Sequence, residues 1–216
     1  MPDYELNHWV TFFAATLALN LSPGPDIAFI LDRSLGGRTK AGFVAMAGIW
    51  CGTLLHVLFA TLGLSAILVS SSIAFTAVKW AGAGYLIWLG LRAWISSGAK
   101  PALDGGSGYR DRPLERTFRQ GILVSALNPK VAVFFLAFLP QFVVADAGPV
   151  SLQLAFHGIL VIAVASVVEV PLVLAASSVS RVLLQSERMR LLFQRILGTV
   201  LIGLGAQLIL SGDRRS

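Results

Sequence analysis

Residues 20–28 read NLSPGPDIA and residues 126–134 read ALNPKVAVF, each inside a long apolar run. In the first, Pro23, Gly24 and Pro25 fall within three positions. Proline lacks the amide that an α-helix needs and clashes with the preceding turn, so an apolar helix entering this stretch has to stop. In the second, Asn128-Pro129 does the same. A capping side chain precedes a proline in both, Ser22 before Pro23 and Asn128 before Pro129. That pattern starts a new helix, with the cap at its mouth and proline in the first turn. Each run is therefore expected to be two half-helices meeting at depth. The new N-terminus offers unpaired amides and a partial positive charge, a setting for a carboxylate. A proline kink without a ligand is the plainer alternative. Two breaks at matching places, each followed by a charge (Asp26 and Lys130), favour a site.

The surroundings set the solvent. Of 216 residues, 56% are apolar and 13% charged, and the mean hydropathy is +0.76. A soluble domain averages about 45–50% apolar and about 25% charged. Charge-poor stretches such as 41–78 leave no polar face for water, which excludes a soluble helical core and a disordered chain. A bilayer core about 30 Å thick takes about 20 helical residues to cross. Six such spans are read, at about 6–34, 41–69, 73–96, 118–144, 150–179 and 192–211. In lipid, continuous apolar runs can cross only as helices. The expected fold is an all-α integral membrane protein of six transmembrane helices, with helices 1 and 4 broken. Residues 1–7 carry Asp3 and Glu5 but no Lys or Arg, the reverse of a signal peptide, so the first apolar run is expected to be retained.

The net charge of +6 does not point to nucleic acid once the charges are placed. Of 17 Lys and Arg, thirteen fall in the first, third and fifth loops, from Arg33 to Lys40, Arg92 to Arg119 and Arg181 to Arg195. Loops two and four have none, and the tail has Arg214 and Arg215. The positive-inside rule puts the odd loops in the cytoplasm and both termini outside it. Residues 97–117, rich in Gly, Pro and charge, read as a cytoplasmic linker. It separates a first three-helix repeat (1–96) from a second (118–211), with 212–216 as a tail. Pro25-Asp26-Ile27-Ala28-Phe29 aligns with Pro129-Lys130-Val131-Ala132-Val133, and Leu86-Ile87-Trp88-Leu89-Gly90 with Leu201-Ile202-Gly203-Leu204-Gly205. Three spans per repeat is an odd number, so the two must be inverted, an architecture of secondary transporters that alternate by rocking.

Ionisable groups at depth cost at least about 2.5–3.5 kcal/mol each on insertion scales, so each needs a reason. Asp26 and Lys130 are brought together by inverted symmetry, as an ion pair or as the two ends of a zwitterion site. Glu169 lies two residues before Pro171, as a site residue or as a local cap. His56 follows Gly48 and Gly52 on one helix face, where glycines permit close approach; it is a proton carrier or a packing residue. Lys79 and Asp32 sit near span ends, where long side chains snorkel. His157 is expected near the outer interface, and Asn20 and Gln141 are expected to tie helices together. One cysteine, Cys51, permits no internal disulfide, and no metal-ligand spacing or nucleotide-binding loop occurs.

As a set, SPGPD, the Gly48–Gly52–His56 spacing followed by ATLGLSA (60–66), KWAGAGYLIWLG (79–90), FRQGILVSALNPKVAVFFLAFLPQFV (118–143) and LGTVLIGLG (197–205) resemble the lysine exporter/threonine–homoserine exporter (LysE/RhtB-type) family. The resemblance covers nearly the whole chain apart from linker and tail. It implies a bacterial inner-membrane exporter of amino acids or close derivatives, driven by an ion gradient, without cofactor. The family's two proline motifs fall on Pro23, Gly24 and Pro25, and on Asn128, Pro129 and Lys130. The substrate-binding candidates are accordingly Ser22, Pro23, Gly24, Pro25, Asp26, Asn128, Pro129 and Lys130, and the proton-coupling candidates Asp26, His56 and Glu169. Expected partners are a small-molecule substrate, protons and the lipid bilayer, with room for a homo-oligomer. The rival reading is a metal-ion exporter of the same broad superfamily, which would need clustered carboxylate, His or Cys ligands; Lys130 speaks against a bound cation. An intramembrane serine protease would need a Gly-x-Ser-Gly motif that is missing.

Overall fold

The structure is a computed structural model that describes residues 5–22, 24–64, 72–95, 113–144 and 147–178, together with positions 195, 199, 202, 203, 206 and 209. Among the described residues all regular structure is helical. Helix α1 (Leu6–Leu21) and α2 (Pro25–Ser34) are bent by 55° at the first break. Helix α3 (Thr39–Phe59) runs on through a π-helical turn, Ala60–Leu64. Helix α4 is Ser72–Ile95. Helix α5 (Leu114–Ala126) is followed by α6 (Pro129–Val133), which loosens to π geometry over Phe134–Phe138 and tightens to 3₁₀ over Leu139–Phe142. This second bend is 46°. Helix α7 (Val150–Ser178) has 29 residues, about 43 Å at ~1.5 Å per residue, so it must tilt in a bilayer.

Thr39–Gly63 and Val150–Ala176 are each long and apolar enough to cross a membrane unbroken, and the two bent pairs meet the same test when each is taken as one span. The expected broken helices 1 and 4 are thus present. The six described positions of the sixth span are helical; the rest of it, and most of the linker, lie outside the described residues. Helix α5 starts at Leu114, earlier than its polar composition suggested. Glu115 and Arg119 face each other across one turn at 3.1 Å and make that polar start compatible with helix.

The outside of the bundle is apolar. Leu58 and Phe59 on α3 and Val167 on α7 are about half or more exposed, a surface that suits lipid and not water. Inside, Phe12 and Leu19 of α1 pack with Phe134, Phe135, Phe138 and Phe142 of the α6 segment and Leu154 of α7. In lipid the gain from such packing is close van der Waals contact rather than expulsion of water.

Among the described residues, the α3–α5 seam is a notably close helix contact. A Cβ at Gly52 would meet the Ile122 carbonyl at 2.5 Å, one at Gly121 would meet the Ala45 carbonyl at 2.6 Å, and one at Gly48 would run into the Phe118 carbonyl. The expected role of Gly48 and Gly52 therefore holds, with Gly121 as their counterpart. Thr53 Oγ1 donates to its own Ile49 carbonyl at 3.0 Å, so Ser125 Oγ donates across the seam to Thr53 at 3.0 Å. The α2–α3 turn needs Gly36 (φ 75°) and Gly37 (φ 81°), a left-handed pair that only glycine takes readily. Arg38 closes it by donating to the Leu35 and Asp32 carbonyls at 3.0 and 3.4 Å.

Candidate functional site

At the first break the chain ends one helix before it starts the next. Ser22 donates its amide to Ala18 at 2.9 Å and closes α1. Gly24, extended at φ −153°, is the N-cap of α2, with Pro25 in the first turn. This corrects the expected start: Ser22 does not cap α2, and the helix begins at the second proline rather than the first. The physical reason is the pair of prolines, either of which suits a first turn. A side chain at position 24 would also collide with the ion pair beside it, since an added Cβ lies 2.6 Å from Asp26 Oδ1 and 2.9 Å from Lys130 Nζ. At the second break the expectation holds. Asn128 caps α6, its Oδ1 accepting from the Lys130 amide at 3.0 Å. Its Nδ2 is buried without a partner among the described residues.

Lys130 reaches from the second break into the first. Its Nζ lies 3.1 Å from Asp26 Oδ2 and 3.2 Å from Oδ1, and donates to the carbonyls of Ser22 at 2.9 Å and Leu19 at 3.3 Å. Both side chains are buried, each residue 6% exposed. One cation thus meets the negative end of α1 and the carboxylate in the first turn of α2. Asp26 in turn suits the positive end of its own helix. The juxtaposition expected for these two residues, 104 apart in sequence, is present.

Glu169 comes to the same place from α7. It is 2% exposed, and its Oε2 accepts from the indole nitrogen of Trp50 at 2.7 Å. Asp26 and Glu169 line one cavity with Asn20, Trp50, Thr53 and an aliphatic wall that includes Ile49, Val131 and Val161. The cavity, about 20 Å³, holds little more than one water molecule.

His56 lies outside that lining. Its Nε2 donates to the Ser125 carbonyl at 3.0 Å, and its ring tilts against Phe135. It is thereby a second donor to a carbonyl that also accepts from the Asn128 amide at 3.0 Å, in the last turn before the second break. Two smaller expectations are corrected. Asn20 and Gln141 do not tie helices together; each donates to the carbonyl one turn back on its own helix, at 2.8 and 2.7 Å. Cross-links between segments come instead from Arg33 on α2, which donates to Gln120 on α5 at 3.0 Å, and from Gln153, which holds the Val144 amide and carbonyl at 2.9 and 3.0 Å. Lys79 lies on α4, its side chain outside the described positions, and Asp32 is 3.8 Å from Arg33.

The sequence model of the family described as LysE type translocator matches residues 17–212, a stretch that holds both breaks, Lys130 and Glu169. The chain belongs to the LysE-type translocator family. The apolar spans agree with a multi-pass membrane protein of that family. It is 33% identical over 135 residues to a homoserine/homoserine lactone efflux protein of Salmonella typhi, covering 62% of this chain and 64% of that one. It is 27% identical over 139 residues to an uncharacterized membrane protein of Vibrio cholerae, covering 64% and 66%. The chain thus spans just under two thirds of the length of these two curated relatives. A leucine efflux protein of Klebsiella pneumoniae is 23% identical over 206 residues, 95% of this chain and 96% of the relative. No solved structure matches. The metal-export alternative is not favoured, since the relatives whose names state a cargo are efflux proteins for homoserine, homoserine lactone and leucine.

Of the polar residues around the cavity, Trp50 and Thr53 are the two that the sequence does not single out. A tryptophan in an apolar helix reads as packing or as an interfacial anchor, and nothing near it in sequence marks the carboxylate 119 residues away.

Proposed function

We propose that this translocator exports a small amino acid or close derivative across the bacterial inner membrane by proton antiport. The observation that carries the proposal is the meeting of Asp26 and Glu169, from separate helices, in one buried cavity beside two broken helices. The names of relatives that export homoserine, its lactone and leucine support the class of cargo. The positive-inside distribution supports an orientation with both termini outside the cytoplasm.

In this reading the substrate ammonium goes to the carboxylates, Glu169 with Asp26 beside it. The carboxylate goes to the second break, where Asn128 Nδ2 has no partner among the described residues and Val131 faces the cavity. Lys130 holds the first break together and balances Asp26, so a zwitterion adds no net charge to the cavity. Glu169 can hold either a proton or an ammonium group but not both. That exclusion is antiport in its simplest form, since the ion and the cargo compete for one group. A cavity of this size is too small for an amino acid, so it has to widen before cargo enters. The α3–α5 seam crosses between the two proposed inverted repeats. Those two helices therefore move as one, and opening falls on α1, α2 and the α6 segment.

The test is efflux from proteoliposomes loaded with a mixture of labelled amino acids, with and without an imposed proton gradient. Gradient-dependent loss of one class establishes export and names the cargo. Glu169→Gln should retain exchange of labelled for unlabelled cargo and lose the response to the gradient. Unaltered gradient coupling in that variant overturns the assignment of Glu169.

A further inference from the structure

Asn20 lines the cavity from the last turn of α1, directly before the first break, and is 8% exposed. Its Nδ2 donates to the Thr16 carbonyl at 2.8 Å. That contact fixes which way round the carboxamide lies, because only its nitrogen end can face a carbonyl. The Thr16 carbonyl already serves the backbone of α1 one turn on, so the bond orients Asn20 more than it cures a deficit at Thr16. Oδ1 is left over: among the described residues nothing donates to it. A buried acceptor in that state costs free energy, which a ligand with hydrogens to give would recover.

Two other side chains on the same cavity also have acceptors to spare. Glu169 receives the Trp50 N–H on Oε2, and Oε1 has no donor among the described residues. Thr53 gives its hydroxyl hydrogen to the Ile49 carbonyl and one lone pair to Ser125, which leaves one lone pair on Oγ1. Asp26 differs, since both its oxygens already face Lys130. Spare acceptors therefore come to one cavity from α1, α3 and α7. Trp50, by contrast, has no hydrogen left to give, because its one N–H goes to Glu169.

We propose that Asn20, with Thr53, makes the site count the hydrogens on the cargo nitrogen and so restricts cargo to primary amines; this rests on the reading of the cavity as the place where the cargo ammonium binds. A primary ammonium has three N–H groups and accepts nothing. Glu169, Asn20 and Thr53 offer one acceptor for each. Glu169 reads the charge, which N-methylation does not remove. The two neutral oxygens read the hydrogens. A methyl on the nitrogen sets carbon against one of them, and a second methyl strips another. An α-hydroxy acid with the same side chain lacks both the charge and the hydrogens.

The test reads binding as stabilisation of the purified protein in mixed micelles, so it needs no transport. The probes are leucine and homoserine, each as the primary amine, the N-methyl and N,N-dimethyl amines and the α-hydroxy acid. In at least one series the primary amine should bind about 10- to 100-fold more tightly than its N-methyl form, and the other two should not bind. In Asn20→Leu, which keeps the outline of the side chain without an acceptor, the primary and N-methyl forms should bind alike. Asn20→Thr, whose hydroxyl can donate to Thr16 as Thr53 does to Ile49 and still accept, should keep a preference. Equal binding of primary and N,N-dimethyl amines by the unaltered protein overturns the inference, as does an undiminished preference in Asn20→Leu. A second arm uses no amino acid. Ammonium and potassium ions are alike in charge and nearly so in size, but only ammonium has hydrogens. Ammonium chloride should stabilise the unaltered protein more than potassium chloride, and Asn20→Leu should abolish the difference. If neither amino acid binds while ammonium keeps its advantage, the cargo reading falls and the acceptor cluster stands. If the two salts also act alike, the cluster falls with it.

Discussion

Replacing Lys130 by Met should be among the most damaging single changes in the molecule, and the structure says how its cost divides. The substitution leaves Asp26, 6% exposed, as a buried carboxylate without its cation, and leaves the Leu19 and Ser22 carbonyls without their donor. Removing one partner of a buried pair costs about 3–5 kcal/mol. Asp26→Asn should cost less, about 1.5–3 kcal/mol, the worth of a hydrogen bond to a charged group, because Lys130 keeps both backbone acceptors. The double variant Asp26→Asn/Lys130→Met has no stranded charge and loses mainly the donor to two carbonyls. It should therefore be less destabilised than the sum of the singles by about 2 kcal/mol or more. The assay is reversible unfolding in mixed micelles followed by circular dichroism, with all four proteins in the same lipid. Additivity within about 0.5 kcal/mol would refute the claim that Lys130 and Asp26 act as one unit. Transport should be lost in both singles; full transport in both would also sink the site assignment.

Gly24→Ala places a carbon 2.6 Å from Asp26 Oδ1 and 2.9 Å from Lys130 Nζ, so it should part the pair and cut transport while the protein still inserts; normal efflux would show that the pair tolerates separation. Gly121→Ala drives a methyl toward the Ala45 carbonyl and should destabilise by about 1–3 kcal/mol, whereas Gly63→Ala, with nothing within 4 Å, should be close to neutral in the same unfolding assay. Trp50→Phe keeps an aromatic ring, though a smaller one, and removes the N–H that Glu169 accepts; it should lower stability by about 1.5–3 kcal/mol if Glu169 is charged and weaken exchange of cargo, and an unchanged exchange rate would detach Trp50 from the site.

Much of this was legible because proline and charge are rare in apolar helices and stand out there. The breaks at Pro23–Pro25 and Pro129, the approach of Asp26 to Lys130, and the glycine face of α3 all follow from local rules: a missing amide, an expensive charge, an absent side chain. The exact start of α2 did not follow, because two prolines offer equally good first turns and only the ion pair behind Gly24 chooses between them. The Trp50–Glu169 and His8–His157 contacts were not legible either. Each joins helices more than a hundred residues apart, and neither partner sits in a motif. Asn20 and Gln141 misled for the opposite reason: an amide in a helix can always find the carbonyl one turn back, so its presence says nothing about a neighbour.

The α3–α5 seam also has a consequence for how the protein is made. Ser125 is synthesised 72 residues after Thr53, a wait of roughly 4–14 s at about 5–20 residues per second. Throughout that wait α3 is already a membrane segment, yet the carbonyl that will accept from His56 does not exist. An imidazole and a bare glycine face must be held among lipids, or by the insertion machinery, until α5 arrives. The first three helices made by themselves would keep that deficit permanently. Expressed as a separate polypeptide they should be short-lived, and co-expression of the second half should rescue them.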